Sequence, residues 1–309
     1  MSIRRVTFQS DGVELVGNLH LPDHPGVQPL PAVVLTGPFS GVKEQVTGNY
    51  AAKLAERGLA ALAFDHRNWG ESAGTPRLHE NPTAKLADLR DAVSYLAAHP
   101  DLDPQRIGLC GICLGGAYAA RHAAFDPRVK AVALIAAAYM DPARIRQRMG
   151  GDRYRQWLES FAKVAQRQFQ TGEVEYWPAV AAAGAGLVGM PGEEPYAYYG
   201  TSRNPSPRWE NRCTALSVKE ELSLESMSAM GMLAPTPLLI VHGRTDAYLP
   251  PEDARRAFEQ AGEPKEALWL DTSNHIDLYD NDTYVLPAVD RTAAWFHQHL
   301  APADGGREP

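Results

Sequence analysis

Hydrophobic and polar residues alternate from Ile3 to Phe8 and again from Val13 to Leu21, with Ser10-Asp11-Gly12 between the two stretches. Alternation gives each stretch one apolar face, and an Asp-Gly turn joining them predicts a β-hairpin. Past a proline-rich loop, Pro22 to Pro31, the pattern changes. Ala32-Val33-Val34-Leu35 is apolar without interruption, as expected of a strand covered on both faces in a parallel sheet. Spacing from Lys43 to Arg57, with Ala51 and Leu54 on the apolar side, predicts a helix closed by Gly58. The unit then repeats: a strand at Leu59–Phe64, a helix at Thr83–Ala98 behind Asn81-Pro82, a strand at Arg106–Cys110, a helix at Leu114–Phe125 and a strand at Val129–Ala138. The rhythm lapses at Asp141 and resumes at Pro237. Strands at Leu238–His242 and Ala267–Leu270 follow, with helices at Pro251–Ala261 and Tyr284–Leu300. Strands alternating with helices predict an α/β protein with a mostly parallel sheet, the opening hairpin adding antiparallel strands at one edge.

The interruption reads as an inserted, largely helical cap after the sixth strand. The expected organisation is a core of residues 1–140 and 234–300, a cap or lid of 141–233, and a flexible tail of 301–309. Within the cap, Pro142–Gln170 and Ala215–Met230 carry helical spacing and flank an irregular Gly/Pro/aromatic segment. No internal repeat is visible. A chain of 309 residues can bury one enlarged domain of this kind.

Composition narrows the function. Hydrophobic content of 44% and charged content of 22% are ordinary for a globular protein, and the formal charge of −7 argues against nucleic acid or anionic membrane as the main partner. There is no apolar run of the ~20 residues that a membrane helix needs, and no signal-peptide pattern at Met1–Phe8, so a cytoplasmic protein is expected. Three cysteines, Cys110, Cys113 and Cys213, do not make a disulfide framework. The C-x-x-C spacing of Cys110 and Cys113 could suggest a redox pair or half a zinc site, but further ligands at compatible spacing are missing, so no metal is expected.

The glycines around Cys113 point elsewhere. Arg106-Ile107-Gly108-Leu109-Cys110 runs as a strand into Gly111-Ile112-Cys113-Leu114-Gly115-Gly116, where a helix begins. This is the context of a nucleophile elbow, with cysteine at the nucleophile's position. A buried structural cysteine in a tight turn is the competing reading of the motif alone. Two later features favour catalysis. Asp246 follows the strand Leu238–His242, and His275 follows the strand Ala267–Leu270. Parallel strands present their C-terminal ends on one side of the sheet, so all three residues fall there in the order nucleophile, acid, base. His275 would take the thiol proton or pair with a thiolate, and Asp246 would orient the imidazole. His242 precedes the acid and reads as structural; Asp271 and Asp277 are weaker candidates for the acid than Asp246. The oxyanion hole is expected from the backbone N–H of Leu114 and, because Pro38 has none, from that of Phe39, with Ser40 as the alternative.

The Gly-Ile-Cys-Leu-Gly-Gly segment, followed in order by Asp246 and His275, resembles the dienelactone hydrolase branch of the α/β-hydrolase superfamily. The resemblance implies the α/β-hydrolase fold and a Cys-His-Asp triad acting on esters or lactones without a cofactor. Asp65-His66-Arg67-Asn68-Trp69-Gly70-Glu71-Ser72 is similar to a D-x-R-x-x-G-x-S pattern of that superfamily; the loop falls at the catalytic rim, where His66 reads as structural or substrate-shaping rather than catalytic. The likeness spans about Val33–Ala138 and Pro237–Leu300. It departs at Thr36-Gly37-Pro38, where many relatives carry His-Gly, and it stops at the cap.

Substrate specificity is expected in the cap. Its aromatics, Trp157, Phe161, Tyr176, Trp177, Tyr196, Tyr198, Tyr199 and Trp209, either form the cap's own core or line an acyl pocket; Trp177 and Tyr198, with Trp69, are the substrate-contact candidates. The arginine-rich stretch from Arg144 to Arg167 reads first as a solvated face. Three functions compete. The first is hydrolysis of an ester, lactone or thioester through an acyl-enzyme; the second is an acyltransferase or cyclase using the same intermediate; the third is a binding protein without turnover. Candidate partners are a small acyl substrate, an acyl carrier protein or coenzyme A thioester, and a second copy of the chain.

Overall fold

The computed structural model describes residues 1–23, 29–184, 186–203 and 206–302, so the middle of the proline-rich loop and residues 303–309 of the tail lie outside the described residues. The predicted hairpin is β1 (Ser2–Ser10) and β2 (Val13–Leu21), paired antiparallel in full register around Asp11-Gly12. β3 (Leu30–Thr36) and β4 (Ala60–Asp65) are buried at every position, as their unbroken apolar runs require. Between them, α1 (Val46–Glu56) ends before Gly58, whose φ of 86° reverses the chain. α2 (Pro82–Ala97) is capped by Asn81, whose side chain accepts the Ala84 N–H at 3.0 Å. β5 (Leu102–Ile112), α3 (Leu114–Ala123) and β6 (Val129–Ile135) follow.

The cap is inserted after β6. It comprises α4 (Pro142–Met149), α5 (Gly151–Thr171), β7 (Tyr176–Trp177), α6 (Glu193–Tyr199), β8 (Cys213–Thr214), α7 (Ala215–Ser223) and a 3-10 turn at Ser228–Met232. The core then resumes with β9 (Leu238–Gly243), α8 (Pro251–Gln260), β10 (Lys265–Leu270), α9 (Asp277–Asp280) and α10 (Asp282–His299). The result is the mostly parallel α/β sheet that the alternation implied, in the α/β-hydrolase fold that the resemblance implied. One eight-stranded sheet runs in the order β1-β2-β4-β3-β5-β6-β9-β10, parallel from β4 onward. Only β2 runs against it; β1, antiparallel to β2, points the same way as the other strands.

Two cap expectations change. The helical stretch Pro142–Gln170 is two helices, because Gly150 at φ 85° breaks it. The expected helix Ala215–Met230 stops at Ser223. Ser226 and Met227 donate their N–H groups to the Met140 carbonyl, and Ser226 Oγ accepts the Met140 N–H at 2.9 Å. These bonds to the exit of β6 outweigh local helical preference. The cap also has its own small core of Phe161, Val164, Trp177, Ala215, Val218 and Leu222.

Registry fixes the site. Thr36 pairs with Gly111, Ile112 with Ile135, and Gly243 with Leu270. Cys113, Asp246 and His275 therefore leave β5, β9 and β10 at the same edge, on three separate loops.

Candidate active site

Cys113 sits at φ 55° and ψ −126°, a conformation that side chains other than glycine's rarely adopt. The strain is held by close packing on both sides. A Cβ on Gly111 would lie 2.5 Å from the Gly115 carbonyl oxygen, and one on Gly115 would lie 2.2 Å from the Thr36 carbonyl oxygen. Only glycine lets β5 turn into α3 beside β3. The Cys113 N–H donates to the Ile135 carbonyl, and its carbonyl accepts the N–H groups of Gly116 and Ala138. The thiol is thus fixed at the head of α3, where the helix dipole favours negative charge. Leu114 is the first residue of α3, so its N–H has no carbonyl one turn back. Phe39 lies in the turn closed by the Gly41 N–H donating to the Pro38 carbonyl at 3.1 Å.

His275 Nδ1 lies 2.7 Å from Asp246 Oδ2. The other oxygen of that carboxylate, Oδ1, accepts the N–H groups of Tyr248 at 3.0 Å and Leu249 at 2.7 Å. The far side of the ring faces Cys113. Burial alone would push the imidazole down, but hydrogen bonds to Asp246 and Cys113 and their negative charge outweigh it and raise the group to about 10. Asp277 Oδ2 accepts both the N–H and the hydroxyl of Ser273, shaping the loop, and Glu194 of the cap accepts the His275 N–H at 2.8 Å. Asp271 is exposed and pairs with Arg244.

The remaining candidates take structural places. His242 is buried against the Gly243 carbonyl, and burial lowers its titration. Cys110 is buried in β5, which pushes its thiol up to about 12; it is a core residue. His66 bridges Thr36 Oγ1 at 3.0 Å and Asp88 at 3.3 Å, tying the loop after β4 to β3 and α2. Beneath that loop, Lys43 is buried with Asp65 at 2.8 Å and Glu71 at 2.6 Å. Trp69 is buried beside Phe39, ring centroids 6.3 Å apart, and its indole N–H has no partner among the described residues.

The cap aromatics divide in two. Trp157, Phe161 and Trp177 meet at tilted angles in the cap core, 5.5 and 5.7 Å apart, and Trp177 donates to Glu175, so Trp177 packs in a different buried cluster from that of Cys113. Trp157 and Trp177 also border a separate cap cavity of about 600 Å³. Tyr198 and Tyr199 reach the catalytic edge: Tyr198 meets Tyr279 edge-on at 5.0 Å, and Tyr199 stacks on Trp209 at 5.3 Å. The arginine-rich stretch is partly neutralised, since Arg144 and Arg148 pair with Asp253 of α8.

Three residues escaped the sequence reading. Tyr248 packs on His275 at 5.3 Å, and the Tyr279 hydroxyl lies 3.1 Å from His275 Nε2. Glu221 of α7 is raised to about 8 by burial and the nearby charge of Glu80, against Lys85. The spacing His275-x-x-x-Tyr279 was the one available signal, since four residues bring side chains together once a helix turn forms.

Fold and site together define an α/β-hydrolase, an enzyme of acyl chemistry on ester-type bonds. The chain belongs to the family described as Serine aminopeptidase, S33, which matches residues 28–282. It is 33% identical over 312 residues to the uncharacterized protein PA2218 of Pseudomonas aeruginosa, covering 96% of this chain and 81% of that one. The crystal structure of PA2218 superposes with a TM-score of 0.85 at 31% identity, over 96% and 94% of the two chains. Thiohydrolase aneE of Aspergillus aculeatus is 30% identical over 274 residues, 87% of this chain and 84% of its own. Polyketide transferase grgF of a Penicillium species is 29% identical over 299 residues, 94% of each. The GrgF structure gives a TM-score of 0.83 at 27% identity, over 97% of this chain and all of that one (100%).

These matches correct the resemblance drawn from the elbow. The family is named for a serine enzyme, so neither the dienelactone hydrolase branch nor a cysteine nucleophile as a family trait holds. The short elbow motif is shared widely across the superfamily, and it could not separate branches that differ in cap and loops. Cysteine at position 113 is a property of this chain's elbow. Among the described residues, no helix is long and apolar enough to cross a membrane.

Proposed function

We propose that Cys113, with His275 as base and Asp246 orienting it, takes an acyl group from a small ester or thioester and passes it to an acceptor other than water. The enzyme is on this reading an acyltransferase or cyclase. The carrying observation is enclosure: Cys113 is 4% exposed and His275 2%, beneath a cap whose tyrosines close over them. A thioester on Cys113 is a good donor to a hydroxyl, an amine or a carbanion, and a site shielded from bulk water favours these over hydrolysis. The names of relatives such as polyketide transferase grgF support the same direction.

The Cys113 sulfur attacks the acyl carbonyl, and the oxyanion forms beside the N–H groups of Leu114 and Phe39. Collapse expels the leaving thiolate or alkoxide, which takes the proton from His275 Nε2. The acceptor then gives its proton to Nε2 and attacks the thioester, the C–S bond breaks, and the proton returns to sulfur. Tyr198 and Trp69 are the substrate contacts on this reading. A thioester on an acyl carrier protein or coenzyme A is the donor class that fits a cysteine acceptor.

The test is incubation with an N-acetylcysteamine thioester and with short p-nitrophenyl esters, with and without alcohol and amine acceptors. Intact mass is expected to show one acyl group, lost in Cys113→Ala, and product analysis to show transfer ahead of hydrolysis. Acylation elsewhere, or turnover unaffected by Cys113→Ala, overturns the reading; free acid as the dominant product makes the protein a hydrolase.

A further inference from the structure

The Tyr279 hydroxyl lies 3.1 Å from His275 Nε2, the nitrogen that must receive the acceptor's proton. Cys113 and Tyr199 of the cap lie beside the same hydroxyl. Its position is set from every side. The Tyr279 N–H donates to the Ile276 carbonyl at 3.0 Å, and its carbonyl accepts Asn49 Nδ2 at 2.9 Å. The ring is wedged edge-on between Tyr198 at 5.0 Å and His275 at 5.2 Å. This hydroxyl is buried and preorganised on the reacting pair.

An imidazole nitrogen has one in-plane direction for a hydrogen bond. For the acyl-enzyme to hydrolyse, a water molecule must occupy that direction at Nε2. It gives its proton to the nitrogen as its oxygen bonds to the thioester carbon; the C–S bond then breaks, and sulfur takes the proton to leave a free acid. We propose that Tyr279 holds this direction against water, so that the acyl-enzyme waits for an acceptor bound strongly enough to displace the hydroxyl. Water brings little beyond its own hydrogen bonds to offset the one it replaces. A larger acceptor brings binding energy from the rest of its surface. Tyr279 thereby sets the partition between transfer and hydrolysis. This rests on the reading of Cys113 as the acyl carrier.

The experiment compares the wild-type protein with Tyr279→Phe, which keeps the ring and removes the hydroxyl. Both are acylated with a short p-nitrophenyl ester and desalted, and loss of the acyl group is followed by intact mass in buffer and in buffer with hydroxylamine as acceptor. The phenylalanine variant is expected to lose its acyl group to water about tenfold faster, the worth of roughly one net hydrogen bond. Hydroxylamine is nucleophilic enough to attack a thioester without proton transfer to Nε2, so its reaction is expected to change by less than about threefold, a split that a general loss of structure would not give. Tyr199→Phe removes one contact of the same hydroxyl and is expected to accelerate hydrolysis to a smaller extent, about threefold. Hydrolysis unchanged or slowed in both variants, or both reactions altered equally, overturns the proposal while leaving Cys113 as the acyl carrier. An absence of acyl-Cys113 in the wild type overturns both readings.

Discussion

Asp246 spends both carboxylate oxygens on fixed partners: Oδ2 on His275 Nδ1 at 2.7 Å, and Oδ1 on the N–H groups of Tyr248 and Leu249. The carboxylate cannot rotate without losing one set, so it fixes the imidazole tautomer as well as its plane. Asp246→Asn would present an amide N–H to Nδ1 or turn its oxygen from the loop. Acylation is expected to slow by about 10²–10⁴-fold. Stopped-flow measurement of the p-nitrophenol burst checks this, and circular dichroism should show the fold retained.

The raised titration of His275 ties stability to pH. Its folded value, about 10, stands above the ordinary 6.5. Charged His275 therefore contributes stability that is fully present below about 6.5 and is lost as pH rises through about 10. Melting temperature is expected to fall across that window in the wild type. In His275→Gln the fall should be smaller, and scanning fluorimetry from pH 6 to pH 10 reads the difference. Equal slopes would remove the ion-pair account of the site.

How much of this was legible in the sequence follows the range of the interactions. β3, β4 and β9 are buried at every position, so an apolar run was enough to find them. The elbow was legible because sterics allow only glycine at Gly111 and Gly115. Chain order then carried Asp246 and His275. The cap was poorly legible. Its helix after Ala215 ends where Ser226 meets Met140, a contact across 86 residues that no local window contains. Trp177 and Tyr198 look alike as aromatics in a Gly/Pro-rich segment, yet one packs in the cap core and the other beside Tyr279. Tyr279 was hidden because a helix as short as Asp277–Asp280 leaves almost no periodicity to read.

Gly115 is expected to be the least tolerant glycine of the elbow. An alanine Cβ there would meet Thr36 backbone atoms at 2.2 and 2.5 Å, where β3 is held in the sheet between β4 and β5. Gly115→Ala should cost about 1–3 kcal/mol or more and displace the thiol from His275. Gly151→Ala is the control, since nothing lies within 4 Å of its Cβ position. Urea midpoints should fall for the first variant and stay or rise for the second.

Cys113→Ser tests what the sulfur contributes beyond being a nucleophile. The family is named for serine enzymes, and a hydroxyl is smaller than a thiol, so the elbow should accept the change without loss of fold. The negative charge that Cys113 lends to His275 would go, leaving Asp246 as the main charged group opposing burial, so the imidazole should titrate lower than about 10. Two consequences follow. Serine needs its proton removed during attack, whereas a thiol can be held as thiolate beforehand, so acylation should slow and gain a pH dependence set by His275. The acyl-serine is an oxyester, a poorer donor to amines and carbanions than a thioester. Transfer is therefore expected to fall at least about tenfold relative to hydrolysis. Product ratios with hydroxylamine and water, measured on the purified variant, decide the matter: an unchanged ratio would mean that enclosure by the cap, rather than the thioester, directs the acyl group.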